Sequence, residues 1–250
     1  MKRCFARCTR LGVLLAILAL AANAEDGLET SWDTTLSLGL SGTRGNSETL
    51  TFNGELDAAR EWGRQELRVG IEGSYSEAES DDTGESETTA QDARASLRYK
   101  YSVRPRWYVY TDDSILHDEP AGLDYRLIAG VGAGRFLLDG QTARLSVEVG
   151  AAYIREEFSD GGSDDAAAPR LGVRYDLAPG GSAKVWAAAE YLPQAGEWDA
   201  YLLNGEAGIE AVVNSRISLR TVLQDRYDSV PPDDRKHNDI SIVGSLVFKL

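Results

Sequence analysis

The sequence predicts an all-β protein, a closed antiparallel transmembrane β-barrel of about 12 strands. Apolar and polar residues alternate along most of the chain, which is the pattern of strands with one apolar and one polar face. Past residue 25 the chain has no apolar run long enough to cross a bilayer as a helix. Tight turns alternate with longer acidic connections, an arrangement typical of barrels in the bacterial outer membrane.

The N-terminus predicts a cleaved secretory signal peptide over residues 1–24. Four basic residues between Lys2 and Arg10 precede an apolar run from Leu11 to Ala22, which ends in the cleavage motif Ala22-Asn23-Ala24. The apolar run is about a dozen residues, short of the roughly 20 that a membrane-spanning helix needs. We therefore expect an exported mature chain, residues 25–250, that forms one outer-membrane β-barrel domain.

Composition excludes several classes of function. Cys4 and Cys8 both precede the apolar run, so the mature chain has no cysteine for a disulfide or a thiolate metal site. Loss of four basic residues and no acidic one takes the formal net charge from −14 to −18. A nucleic-acid partner is not expected, because phosphate contacts need clustered lysine and arginine.

The alternation is clearest in eleven segments. They are Trp32–Ser41, Leu50–Ala58, Leu67–Tyr75, Ala93–Val103, Leu127–Gly134, Ala143–Tyr153, Leu171–Leu177, Val185–Tyr191, Tyr201–Ala211, Ile217–Gln224 and Ile240–Leu250. Trp107–Leu116 is aromatic and strand-like, but its two faces cannot be assigned from the pattern. Together these segments predict about twelve strands.

The connections favour a barrel over a soluble periplasmic β-protein. The tight turns are at Trp62–Arg64, Arg104–Arg106, Asp139–Gln141, Pro179–Ser182 and Asn214-Ser215, and the longer acidic stretches are Ser80–Ala90, His117–Gly122, Phe158–Ala168, Gln194–Trp198 and Ser229–Lys236. We expect the tight turns and both termini on the periplasmic side. Aromatic residues near strand ends predict interfacial girdles: Trp32, Trp62, Tyr75, Trp107, Tyr153, Trp198 and Phe248.

The polar faces are heavily charged and are predicted to line the lumen. The predicted lumen charges are Arg68, Arg94, Arg98, Lys100, Arg126, Arg144, Arg170, Arg174, Arg216, Arg220, Glu55, Asp57, Glu72, Glu148, Asp176, Glu206 and Glu210. Such charges either pair across strands and brace a structural barrel, or form the charged rings of an ion- or solute-selective pore. Twelve strands lie between filled small barrels and open 16-stranded porins. We favour bracing with at most a narrow pore.

Catalysis, metals and cofactors have little support. The acidic stretches Glu77–Asp82 and Asp160–Asp165 have oxygen ligands for divalent cations, but neither matches a complete calcium loop, so a solvated surface is expected. An outer-membrane-embedded hydrolase using His117 or His237 is the alternative from another class, although neither histidine lies in a nucleophile motif. We predict no enzyme activity, no catalytic residue, no metal site and no cofactor.

Three motifs carry a resemblance to a known family. Thr43–Thr49, the segment Gly122–Arg126 with Gly130–Gly134, and Asp225–Pro231 resemble motifs of the salt-induced outer-membrane proteins, whose domain has no known function. The resemblance implies an outer-membrane barrel of a Gram-negative bacterium and a link to osmotic or salt stress, but no substrate and no catalytic residues. The expected partners are outer-membrane lipid and the assembly machinery. Phe248-Lys249-Leu250 departs from the terminal aromatic residue that this machinery usually recognises.

Overall fold

The computed structural model describes residues 31–43, 48–79, 86–119, 122–231 and 237–250. The predicted signal peptide lies outside these residues. The described chain forms twelve β-strands: β1 Asp33–Thr43, β2 Glu48–Trp62, β3 Gln65–Glu79, β4 Ser86–Arg104, β5 Trp107–Asp118, β6 Leu123–Asp139, β7 Ala143–Phe158, β8 Ser163–Leu177, β9 Ala183–Gln194, β10 Glu197–Val212, β11 Ile217–Asp228 and β12 Asn238–Lys249.

The strands form one closed antiparallel barrel, which confirms the predicted fold class. Each strand pairs with the next along the chain, and β1 also pairs with β12. The closing register places Leu36 opposite Phe248, and the backbone N–H of Leu250 donates to the carbonyl oxygen of Thr34 at 2.9 Å. Closure gives both edge strands of the sheet a partner, and a free edge strand in hydrocarbon would leave its backbone groups unpaired at high cost.

The apolar faces of the strands point outward. On β7, Val149 is 60% exposed, whereas Ser146 on the opposite face is only 8% exposed. Exposed valine, leucine and isoleucine side chains recur around the barrel, for example Val131, Leu219 and Ile242. A continuous apolar exterior is the surface of a barrel that spans a bilayer. Among the described residues, no helix is long and apolar enough to cross a membrane.

The two ends of the barrel carry aromatic residues on the outside. We call the end with residues 63–64, 105–106, 140–142, 178–182 and 213–216 the turn end, and the opposite end the loop end. At the turn end the guanidinium of Arg60 lies 5.9 Å from the ring of Trp32 and 5.7 Å from that of Trp62. At the loop end Tyr191 and Tyr227 both contact Tyr201, with ring centroids 5.4 and 5.6 Å apart. These positions agree with interfacial girdles.

The strands at the loop end are longer than predicted, so three connections are shorter than predicted. The predicted sorting of loops by length is wrong for the β7–β8 and β9–β10 connections, whereas residues 80–85 between β3 and β4 still outnumber those of any connection at the turn end. Strand β4 already begins at Ser86, β8 begins at Ser163, and only residues 195–196 connect β9 to β10. Where strands project into water, both faces can be polar while the backbone ladder continues. The period-two pattern is therefore lost before the strand ends.

We expect Val149→Arg to lower the free energy of unfolding by about 2–4 kcal/mol, because it places a guanidinium on the lipid-facing surface in the middle of β7. Ser163→Arg, at the projecting end of β8, is the matched control and should change it little. Denaturant titration of the barrel refolded into lipid vesicles measures both. Equal losses for the two variants would contradict the assigned lipid-facing surface.

Candidate functional site

The inner faces of neighbouring strands bring opposite charges together. In the register, Arg94 lies opposite Glu72, Arg98 opposite Asp112, and Arg220 opposite Glu210. These pairs follow directly from the alternation, because residues of equal phase on neighbouring strands share a face. The barrel interior is the candidate functional site.

One cluster of charges occupies the middle of the interior. We call it the central ion cluster; its members are Arg98, Asp112, Glu148, Arg170 and Glu190. The Arg170 guanidinium lies 3.1 Å from Asp112 and 2.9 Å from Glu148, and it also pairs with Glu190. Arg98 lies 2.6 Å from Asp112 and also pairs with Glu148. The two arginines thus share two carboxylates, and the side chain of Arg170 is only 8% exposed.

Two pairs of the central ion cluster cross the lumen. Arg98 on β4 reaches Glu148 on β7, and Arg170 on β8 reaches Asp112 on β5. In each case the two strands are three positions apart in the closed sheet, so the bond passes through the interior. Charges taken out of water are costly unless several partners compensate them. Each member of the central ion cluster pairs with at least one side chain of opposite charge.

A second set of cross-lumen pairs extends to both ends. Near the loop end, Arg126 on β6 lies 3.1 Å from Asp228 on β11, five strands away in a barrel of twelve, and also pairs with Glu156. Toward the turn end, Arg220 on β11 lies 2.9 Å from Glu55 on β2. The Arg126 pair spans nearly the full width of the barrel, so the lumen is narrow there.

An apolar layer fills part of the interior between the central ion cluster and the loop end. Ala152, Ile154, Ala168 and Leu192 are buried together, with Ile128 and Leu202 packed against them. Leu192 has no exposed surface. This layer was not predicted. Its signal in the sequence is the breakdown of alternation, in pairs such as Tyr153-Ile154 and Tyr191-Leu192, where both faces of the strand are apolar.

Two tyrosines of β5 line the interior over glycines of β6. Tyr108 and Tyr110 are each 3% exposed, which resolves the ambiguous phase of this strand. They lie directly opposite Gly134 and Gly132, and a Cβ added at Gly134 would stand 2.3 Å from the Tyr108 ring. Glycine is therefore required where the rings lie against β6. This contact explains Gly132 and Gly134 of the motif Gly130–Gly134.

The tyrosine hydroxyls connect this wall to the central ion cluster. The hydroxyl of Tyr108 donates to Glu148 at 2.7 Å, and the hydroxyl of Tyr110 accepts from Arg170 at 2.6 Å. The Tyr110 ring also lies 4.9 Å from the Arg98 guanidinium and 5.0 Å from that of Arg170. Both arginines therefore gain a cation–π contact in addition to their carboxylate partners.

The predicted lumen charges differ in their surroundings. Arg68 and Lys100 both pair with Glu66, and Arg94 pairs with Glu72. Arg174 pairs with Asp176 and lies 4.0 Å from Glu206, whereas Arg144 lies 3.6 Å from Asp139. Asp57 is on β2, two residues from Glu55. The side chains of Arg144 and Arg174 near the turn end are 59% and 42% exposed. The interior is thus most hydrated near the turn end. Arg216 differs from the prediction: it is exposed in the turn before β11, where a strand residue was expected.

In the part of the chain that the structure describes, seven charged partners of the predicted lumen charges were not predicted: Glu66, Asp112, Asp139, Glu156, Glu190, Arg226 and Asp228. Asp112 lies on β5, whose phase the pattern left open, and Asp139 lies at the start of a predicted tight turn. Glu156 and Asp228 lie beyond the ends of the predicted segments Ala143–Tyr153 and Ile217–Gln224. Glu66, Glu190 and Arg226 share the phase of predicted inner residues two positions away on neighbouring strands. That phase relation is the signal that could have found them.

The histidines do not form the arrangement that a hydrolase needs. The ring Nδ1 of His117 lies 2.8 Å from the backbone oxygen of Asp124, and that of His237 lies 3.0 Å from the backbone oxygen of Asp228. Within the described part of the chain, neither ring is bonded to a serine or to a carboxylate side chain. The hydrolase alternative therefore gains no support from the geometry.

The acidic stretches show no cation site in the part that the structure describes. Asp160 accepts the backbone N–H of Gly162 at 2.8 Å, and Asp164 accepts that of Asp165 at 2.9 Å, so both carboxylates bind their own turn. No group of three or more metal-ligating side chains is found among the described residues. The side chains of the other stretch, Glu77–Asp82, lie outside them.

Comparison with known families assigns the chain to one of them. The family model described as "Protein of unknown function, DUF481" matches residues 36–250. The chain belongs to this family. The description of the DUF481 family names no salt response, so that part of the resemblance stays a prediction. A search of curated proteins found no match.

Solved structures similar to this DUF481 protein are outer-membrane barrels. The NanC porin matches with a TM-score of 0.56 and 9% identity, over 86% of this chain and 100% of that chain. The translocator domain of the autotransporter NalP from Neisseria meningitidis has a TM-score of 0.48 and 11% identity, and the match covers 98% of this chain and 96% of that chain. The KdgM porin has a TM-score of 0.48 and 7% identity, and the match covers 88% of this chain and 98% of that chain. Of these three, the NanC likeness alone bears on the fold, and it shows the fold only.

We expect Gly134→Ala to lower the free energy of unfolding by about 1–3 kcal/mol, because the new methyl group overlaps the Tyr108 ring. In a Tyr108→Ala background the same substitution should cost little, giving a coupling energy of about 0.5–3 kcal/mol in a double-mutant cycle. Gly244→Ala, with nothing within 4 Å of its new Cβ, is the control. Additive effects of Gly134→Ala and Tyr108→Ala would contradict the contact.

Proposed function

We propose that the protein is an integral outer-membrane barrel that forms a narrow pore of low conductance, whose resting interior is held closed by cross-lumen ion pairs. The observation that carries the proposal is the Arg170 guanidinium, which binds carboxylates from β5, β7 and β9 in the middle of the lumen. Outer-membrane lipid and the assembly machinery are the partners that the proposal includes.

The location is supported by three independent features. The exterior is apolar between two aromatic girdles, the N-terminus has the features of a secretory signal peptide, and similar solved structures include porins. A barrel with these properties belongs in the outer membrane of a Gram-negative bacterium, where lipid surrounds its apolar exterior.

The closed interior is supported by the distribution of its charges. A wide water-filled pore leaves the charged side chains of opposite walls apart, whereas here Arg98, Arg126 and Arg170 each reach across to a distant strand. Any permeant ion must pass between these paired charges, which set its selectivity. The substrate class that fits is a small ion, since each cross-lumen pair occupies space that a larger solute needs.

A purely structural barrel is the second candidate. The apolar layer of Ile154 and Leu192 favours it, because a buried apolar layer excludes water and ions from that part of the lumen. The two candidates differ in conductance alone: the narrow pore conducts weakly, and the structural barrel does not conduct until the interior is disrupted.

Topology is tested by epitope tags inserted at Gly162, at the loop end, and at Gly181, at the turn end. On intact cells an antibody should reach the tag at Gly162 but not the tag at Gly181, because tight turns and termini face the periplasm. Permeabilised cells should expose both tags. Labelling of Gly181 on intact cells would reverse the orientation.

Planar-bilayer recording tests the closed interior. Replacing Arg98 and Arg170 together by alanine leaves the carboxylates of Asp112, Glu148 and Glu190 without their arginines. Cation conductance should rise, and the free energy of unfolding should fall by about 3–5 kcal/mol, because buried charges lose their partners.

The matched control is Arg174→Ala. Arg174 is partly exposed and pairs with Asp176 on its own strand, so neither conductance nor stability should change much. The proposal fails if the wild-type barrel conducts strongly and the double variant shifts only ion preference, with the same stability. The central ion cluster would then line an open channel.

A further inference from the structure

Three arginines surround Trp107 at the turn end of the barrel. Arg104 lies opposite Trp107 in the β4–β5 hairpin, and Arg135 lies opposite it on β6, with its guanidinium 5.1 Å from the indole ring. Arg106 directly precedes Trp107, and its carbonyl oxygen accepts the backbone N–H of Phe136 at 2.9 Å. All three arginines are exposed. We call Arg104, Arg106 and Arg135 with Trp107 the basic turn patch.

The basic turn patch faces outward, at the depth of the aromatic girdle. Tyr108 on β5 points into the lumen, so Trp107 beside it points to the exterior, where it is 48% exposed. Arg135 is paired with Trp107 and shares its outward face. Toward the middle of the barrel, the outward faces of β4 and β5 carry the exposed side chains of Tyr101, Val103 and Val109. The patch therefore lies where lipid chains give way to lipid headgroups.

The charges of the basic turn patch are not neutralised by carboxylates in the part of the chain that the structure describes. Arg104, Arg106 and Arg135 form no ion pair there. The arginines of the interior, such as Arg98 and Arg170, instead bind carboxylates of neighbouring and opposite strands. Three positive charges on one exposed surface attract an anion from outside the protein.

The backbone at Arg106 indicates that its side chain has a use. Arg106 follows Pro105 in the turn and has a φ of 66°, the only positive φ of a non-glycine residue among those that the structure describes. A turn with proline followed by a positive φ favours glycine at the second of these positions. An arginine there is strained, and a strained position of this kind points to a function for the side chain that occupies it.

We propose that the basic turn patch binds the phosphate of an anionic phospholipid, whose acyl chains lie along the outer faces of β4–β6. Guanidinium groups bind phosphate oxygens through pairs of N–H donors. A zwitterionic headgroup carries its own ammonium beside the phosphate, so the patch prefers a lipid with a net negative charge. The inference rests on the membrane location in the proposed function, and with the turn end in the periplasm the lipid belongs to the periplasmic leaflet.

A lipid fits the basic turn patch better than a soluble anion. The exterior of a membrane barrel is covered by lipid, so arginines at the depth of the girdle meet headgroups without any further component. Val103 and Val109 continue the patch into an apolar surface that acyl chains cover, whereas free phosphate would bind the charges alone. An acidic soluble protein is the other outcome of the test.

Quenching by brominated lipid at one labelled position tests the site. A fluorophore on Val109→Cys lies two residues from Trp107, and the chain has no cysteine beyond the predicted signal peptide. In phosphatidylcholine vesicles, brominated phosphatidylglycerol at low mole fraction should quench it more strongly than brominated phosphatidylcholine does. Arg135→Gln should lower this preference about fivefold, the factor expected for one arginine near an anionic lipid surface. Arg216→Gln, which removes the same charge from the turn before β11, is the matched control, and an equal loss in both variants would overturn the proposal.

Arg106→Gly separates lipid binding from backbone structure. Glycine relieves the strained turn, so the barrel should be at least as stable in phosphatidylcholine vesicles, while its preference for phosphatidylglycerol should fall about fivefold. The gel shift between unheated and heated samples checks that each barrel is folded. An unchanged preference in folded Arg106→Gly or Arg135→Gln would overturn the proposal, and so would a barrel without these substitutions that shows no preference, which would favour an acidic soluble partner. A chain that does not insert into vesicles would instead contradict the proposed membrane location.

Discussion

The guanidinium of Arg170 is the constraint on which the interior depends. It binds three carboxylates on three different strands, so the curvature and register of β5 to β9 must bring those strands to the correct distance. The carboxylates depend on the arginines as much as the arginines depend on them. Asp112 and Glu148 also bind Arg98, and each of these charges would be costly out of water without its partners. Removing one member therefore affects the whole cluster.

This arrangement places demands on the backbone beside it. Tyr110 contacts both arginines, which requires its ring to lie against β6, and only glycine at position 132 leaves room for it. The glycines of β6 are therefore part of the ion cluster, although they carry no charge. A sequence motif that reads as a turn-rich or flexible segment is here a surface shaped for two aromatic rings.

The exterior could be predicted from the sequence and the interior only in part. Lipid contacts every outward residue in the same way. The alternation therefore predicted the strands without knowledge of the fold and, except on β5, their outward faces, for example at Val131 and Ile242. Partners across the lumen depend on the barrel diameter and the stagger between strands, which no local pattern contains. Hence the Arg126–Asp228 pair, the apolar layer around Leu192 and the inward phase of Tyr108 were not predicted.

The closed ring determines on which side of the sheet a charge can be compensated. Inside, the ion pairs that the structure describes join residues of the same chain, because twelve strands in a closed ring provide opposing walls. Outside, the ring has no second wall and lipid offers no hydrogen-bond donor, so apolar side chains such as Val149 cover that surface. An inward carboxylate such as Glu148 is thus explained by barrel closure.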